Sequence, residues 1–268
     1  MRIASSIPIA SLAILALAFG PATSPVRASV PTGDPVFSAP LDFDNTYFPF
    51  VLYRIRVYEQ TAGTGELTVL DVFRPDTRTF TWNGDHVACR VLEEWEVDDG
   101  EIVEISRNFF AQADDGTVYY FGETVDTYEG GVVTGHGGSW LVGGPGPGDP
   151  EGTLTVDDPT VFMPATPEVG DTWKAEDLPD EGVEEFDEVE RFVNRLRVPA
   201  GTFEDVLLVE ERTPDVGHKW YAPGVGFIQQ KDPGEVVSLE EIVDSDDEDE
   251  MEEALEEIVE DLMSGDGA

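Results

Sequence analysis

Apolar and polar residues alternate with a period of two along most of this chain, and that alternation predicts strands. Val51 to Tyr58 puts Tyr53, Ile55 and Val57 on one face and Leu52, Arg54, Arg56 and Tyr58 on the other. Leu67 to Phe73 and Thr77 to Trp82 follow, closed by Asn83-Gly84, the pair that suits a two-residue hairpin. In His86 to Val97 one face carries Val87, Cys89, Val91, Trp95 and Val97. The other carries His86, Arg90, Glu94 and Glu96 and reads as a solvated face, with a surface metal site at His86 as the sharper alternative. Asp98-Asp99-Gly100, Asp114-Asp115-Gly116 and Glu129-Gly130-Gly131 then turn the chain at intervals of about 15 residues, as a meander requires. These turns lack the alternating oxygen ligands and terminal Glu of a calcium loop.

After the glycine-rich stretch around His136 and Trp140, Gly143 to Thr160 reads as an irregular loop that splits the chain into a meander and a second β-rich part. Order restarts at Phe162 to Ala165 and Val169 to Trp173. Glu184 to Val198 mixes helical charge spacing with β-branched density, and is assigned as strand. Val206 to Glu211, His218 to Tyr221, Phe227 to Gln230 and Val236 to Ile242 continue the sheet. The expected fold is all-β, mainly an antiparallel meander of half-barrel or sandwich type, in one domain over 41–243.

The period changes in the tail, 244–268. Met251, Leu255, Ile258, Val259 and Leu262 recur at helical spacing, and Ser245 with Glu248 reads as a capping box. Glu260 and Asp261 oppose the dipole in the last turn, so this acidic amphipathic helix should be marginal unless its apolar stripe docks or cations screen it.

Residues 1–28 read as a secretory signal: Arg2, the apolar run Ile7 to Phe19, and the small-residue exit at Val26-Arg27-Ala28, with cleavage after Ala28 or, second, Ala22. The Pro-, Ser- and Gly-rich 29–40 then reads as a flexible lead-in. The expected location is periplasmic or extracellular. Cys89 is the only cysteine, so no internal disulfide forms, and its place on an apolar strand face marks it as a buried hydrophobe.

Charge narrows the partners. With 57 acidic residues against 15 basic and a formal net charge of -42, the chain would be repelled by nucleic acid and by anionic membrane surfaces. Solubility in an ion-rich medium is the first reading of that charge and loose divalent-cation binding, calcium above all, the second. Asp246, Asp247 and Asp249 in the tail are the metal candidates. A monomer is expected.

Six blocks, DNTYFPF (Asp44 to Phe50), VYYFGETVDTYEGG (Val118 to Gly131), GSWLVG (Gly138 to Gly143), FMPATPEVGDTW (Phe162 to Trp173), VPAGTFEDVLLVEERTP (Val198 to Pro214) and KWYAPGVGFIQQ (Lys219 to Gln230), occur in an order that resembles a group of exported bacterial proteins with no assigned activity. The resemblance implies one contiguous β-rich domain and carries over no catalytic residue. It also implies a second cysteine near the position of Val206, which this chain lacks.

Candidate chemistry is sparse. A hydrolytic triad needs a nucleophile within reach of an oriented histidine. His136 with Ser139 is the best pair available, and a glycine-permitted turn with an incidental histidine is the competing account. Tyr119, Phe121, Trp140, Trp220 and Tyr221 are candidates to line an apolar cavity, against the alternative of an ordinary aromatic core. The leading expectation is an exported, non-enzymatic protein binding a small hydrophobic ligand or an envelope partner without a resident cofactor. A cation-binding or interaction protein comes second, and a hydrolase at His136 third.

Overall fold

The computed structural model describes residues 29–31, 33–178, 183–212 and 216–264. The expected signal segment, 1–28, lies outside the described residues. The first meander runs β1 (Arg54–Ala62), β2 (Leu67–Trp82), β3 (Asp85–Asp98), β4 (Glu101–Gln112) and β5 (Val118–Glu129). Its hairpins turn where the sequence asks: Asn83 and Gly84, Asp99 and Gly100, and Gly130 and Gly131 all have positive φ, the conformation of a two-residue turn that matches strand twist.

Four short strands follow: β6 (Val132–Gly135), β7 (Trp140–Val142), β8 (Leu154–Val156) and β9 (Thr160–Met163). β6, β7 and β9 all pair with β5, and β8 lies parallel to β7. The stretch read as an irregular loop therefore holds one short strand and the start of another. Pairing with β7 requires Gly122 in β5, where φ is +117° and an added Cβ would sit 2.1 Å from the Trp140 carbonyl oxygen.

The second meander runs β10 (Thr172–Leu178), β11 (Val183–Val198), β12 (Gly201–Arg212), β13 (Val216–Ala222), β14 (Gly226–Asp232) and β15 (Glu235–Asp244). The mixed Glu184 to Val198 segment is indeed a strand. β15 pairs antiparallel with β1, so the two meanders join into one sheet ordered β10 to β15 and then β1 to β5. It curls into a nearly closed barrel. The fold is all-β with one C-terminal helix, as expected.

One end is packed by the 41–53 segment. Asn45 donates to the carbonyls of Gly116 and Pro164 and accepts from the amides of Tyr47 and Phe48. Phe48 meets Phe110 and Phe162 at ring distances of 4.9 and 4.7 Å, and the Gly224 amide donates to the Thr46 carbonyl. Three of the six sequence blocks, DNTYFPF, FMPATPEVGDTW and KWYAPGVGFIQQ, thus meet here, and packing accounts for that meeting.

The helix α1 (Glu248–Ser264) lies on the outer face of β1 to β3. Met251 and Leu255 are buried against Ile55, Val57, Leu70, Val72 and Trp95, which is the docking that the sequence made a condition of its order. Its cap differs from the expected Ser245–Glu248 box by two residues. Asp247 Oδ1 accepts the Glu250 amide at 3.0 Å while the Glu250 carboxylate accepts the Asp246 amide. The same reciprocal chemistry starts where docking places the first turn.

Candidate ligand cleft and acidic interior

Inner and outer faces follow from strand parity and register. On β3, Glu93 and Trp95 face outward, toward the helix, while Leu92, Glu94 and Glu96 face into the barrel. Glu94 and Glu96 are only 2% and 1% exposed. The solvated face expected for them is corrected here: curling closes this face of the sheet, and the helix covers the other. His86 lies exposed at the far end of the strand, with Thr81 Oγ1 3.3 Å from its Nδ1, so it forms no metal site with them.

Polarity rises along the barrel axis. On the inner face of β4 the residues pass from Phe110 through Asn108 and Ser106 to Glu104, and the Asn108 amide donates to Ser106. Glu96 stands directly opposite Glu104, and Asp187 directly opposite Glu211, two buried pairs of like charge in a position that normally destabilises a sheet. Burial pushes the carboxyls of Glu104, Glu176 and Asp187 up to about 7. It pushes Glu94, Glu96, Glu123 and Glu185 well above the usual carboxylate range, helped by neighbouring carboxylates.

Two cations answer part of this charge. Lys219 on β13 reaches Glu211 at 2.5 Å and Glu185 at 3.9 Å. Burial opposes its charge, but these carboxylates prevail and hold its pKa well above the ordinary value. Arg56 on β1 donates to Asp71 at 2.8 Å and to the Val225 carbonyl, and stacks 4.5 Å from the Phe73 ring centroid.

A separate cleft of about 920 Å³ opens outside the barrel. Val30, Pro31 and Pro35 of the lead-in form one side, β8 and β9 with their loop another, and Trp82, Tyr119 and Leu178 complete it. The lead-in lies against the barrel instead of hanging free: the Ser29 and Val30 amides donate to the Thr172 carbonyl, and Phe37 packs edge-on against Trp82, Tyr119 and Phe121. Trp82 Nε1 donates to Asp158 at 3.0 Å. Tyr119 Oη and Thr160 Oγ1, both cleft-lining residues, are buried without a hydrogen-bond partner. Burial, with Asp115 and Asp34 nearby, raises the Tyr119 phenol above its ordinary pKa.

The five aromatics proposed from sequence do not share a cavity. Tyr119 lines the cleft; Phe121 is buried against Phe37 and Phe80. Trp140 is enclosed, edge-on to Tyr120 at 4.9 Å. Tyr221 faces inward beside Phe227, and Trp220, on the opposite face of β13, stands 6.0 Å from His218. Alternation along β13 separates the last two, since adjacent residues of a strand point opposite ways.

His136 and Ser139 are close in sequence but face different partners. Ser139 is buried; its hydroxyl accepts the Val125 amide at 2.8 Å and turns back on the Val125 carbonyl. His136 Nδ1 lies 3.1 Å from that carbonyl and 2.7 Å from Asp126 Oδ1. His136 lines an open hollow with Arg74, Arg78 and Arg107, whose guanidiniums are engaged by Glu93, Asp149 and Glu252. Cys89 is fully buried, with its thiol pushed well up by burial, as its strand position implied.

Asp246, Asp247 and Asp249 are exposed, with Asp247 serving as helix cap. The described residues whose ligand atoms converge are Glu190, Glu210 and His218, within 4.8 Å of one another. Glu210 and His218 are cross-strand partners, and a bulge in β11 turns Glu190 toward them. Both carboxylates already hold arginines, Glu190 with Arg191 and Glu210 with Arg212 at 2.7 Å, so the set reads as a surface ion network. No residue pattern in the sequence pointed to it, because strand register makes the meeting.

The chain matches no family model and none of the curated proteins in sequence. A crystal structure of a "putative lipoprotein" from Parabacteroides distasonis ATCC 8503 is similar at a TM-score of 0.37 and 16% identity, over 75% of this chain and 100% of that one. At that level of likeness it assigns no activity.

Proposed function

We propose that this is an exported, non-enzymatic binding protein that holds a small amphipathic organic ligand in the cleft between the lead-in, β8–β9 and β10. The observation that carries the reading is the cleft itself, about 920 Å³ between the lead-in, β8–β9 and β10. Leu154, Val156, Val161 and Leu178 supply apolar lining, and the volume falls in the range of small-molecule sites. Asp34, Asp157, Asp158 and Asp177 on the same cleft disfavour an anionic head group. Export rests on the Arg2, Ile7 to Phe19 and Ala28 pattern.

Titration with N-phenyl-1-naphthylamine, a neutral fluorescent amphiphile, tests the cleft. Saturable one-to-one binding is expected, abolished by Val156→Arg. The reading fails if no saturable binding occurs, or if Val156→Arg binds as well as the parent.

A further inference from the structure

The carboxylates on the inner face of β3 to β5 differ from Glu93, Asp71 and Glu211 in having no cation. Glu93 has Arg74 and Arg107, Asp71 has Arg56, and Glu211 has Lys219. Among the described residues Glu94, Glu96, Glu104 and Glu123 have no ion pair. Both oxygens of Glu94, both oxygens of Glu96 and Oε2 of Glu123 are buried with no hydrogen-bond partner. These three side chains are at most 2% exposed. Ionised carboxylates so placed cost several kcal/mol each unless a positive charge joins them.

We propose that this inner wall binds a hard divalent cation of the calcium or magnesium class, held by Glu94, Glu96 and Glu104 with Glu123 alongside. The donor set decides the class. It is all carboxylate, and His86, His136, His218 and Cys89 lie elsewhere, so the softer ligands that select zinc or copper are missing.

The charges facing the wall reinforce the demand. Across the interior Glu176, Glu185, Asp187 and Glu211 share the single Lys219. From β1 and β2, Asp71 comes already neutralised by Arg56, and from β15 Glu235 adds a further negative charge beside Glu96. The wall's oxygens do not converge on one point as those of the outer Glu190 set do. Holding the ion therefore requires these side chains to turn toward one another.

Protein stripped with EDTA and melted at pH 7.5 and fixed ionic strength tests the site. Magnesium or calcium at a hundred times its Kd should raise Tm by about 5–10 °C. Terbium luminescence, sensitised through Trp140 beside Glu123, should saturate at one ion and be displaced by calcium. The Glu94→Gln/Glu96→Gln double variant, folded by circular dichroism, should melt higher than the parent without metal and lose both responses. Absence of any saturable response overturns the site and leaves the carboxylates as neutral acids. An unchanged response in the double variant overturns it equally, assigning the ion to the acidic surface. Neither outcome touches the cleft, which is probed by a different ligand and different variants.

Discussion

Glu93 and Glu94 are consecutive residues of β3, both nearly inaccessible to water, one on the outer face and one on the inner. Glu93 accepts from Arg74, from Arg107 at 2.8 Å and from the Trp95 indole at 2.9 Å. Burial alone would raise its pKa, yet these donors hold it below the usual carboxylate range. Glu94 has no donor, and burial together with Asp71, Glu96 and Glu104 drives it the other way. The residue type and the depth are the same; the partners set the charge state. One face of a strand uses ionised carboxylates to hold structure together, and the other holds carboxyls that no donor or cation answers.

The strongest way to break this contrast is to make the second wall resemble the first. Lys219→Met leaves Glu185, Asp187 and Glu211 without a cation, and should cost about 3–5 kcal/mol at pH 7.5 by denaturant melts. Part of that loss should vanish at pH 5, where Glu185 and Asp187 are protonated; an equal loss at both pH values would assign Lys219 to packing alone.

The two faces also answer pH with opposite sign. Glu104, Glu176 and Asp187 have folded pKa values of about 7, above their unfolded values, so they favour folding while protonated. That contribution is full below about pH 4 and is lost as pH rises toward 7. Glu93, with a depressed folded pKa, contributes above the unfolded value near 4.3 and is lost only as pH falls through its folded pKa. Metal-free protein should therefore lose several kcal/mol between pH 5 and 8, read as a falling urea midpoint. A midpoint that rises over that interval would reverse the assignment of the interior acids.

Single amides sharpen the comparison at smaller scale. Glu93→Gln at pH 7.5 should destabilise by about 2 kcal/mol, because Arg74 keeps only Glu252. Glu94→Gln should raise stability by about 1 kcal/mol in the same buffer without metal. Equal signs for the two variants would mean that their environments do not differ as described.

Much of the fold was legible because its causes are local. Period-two alternation, the Asn83-Gly84 and Asp99-Gly100 turns and the heptad-like stripe of the tail each act over a few residues. The site was legible only in part. Tyr119 was chosen from sequence and lines the cleft, but Thr160 joins the lining through the β5–β9 pairing and carries no sequence signal. Glu94 and Glu96 misled because an acidic strand face normally faces water.

The sequence by itself determined the strands, their turns, the amphipathic helix and the excess of negative charge, since each follows from residue type and spacing. Only the tertiary structure decided where that charge resides. Pairing β15 with β1 and curling the sheet turned one face of β3 into an interior, and docking α1 covered the other. Whether a carboxylate is solvated, paired or stranded depends on what lies across the barrel from it, a distance in space that no distance along the chain encodes.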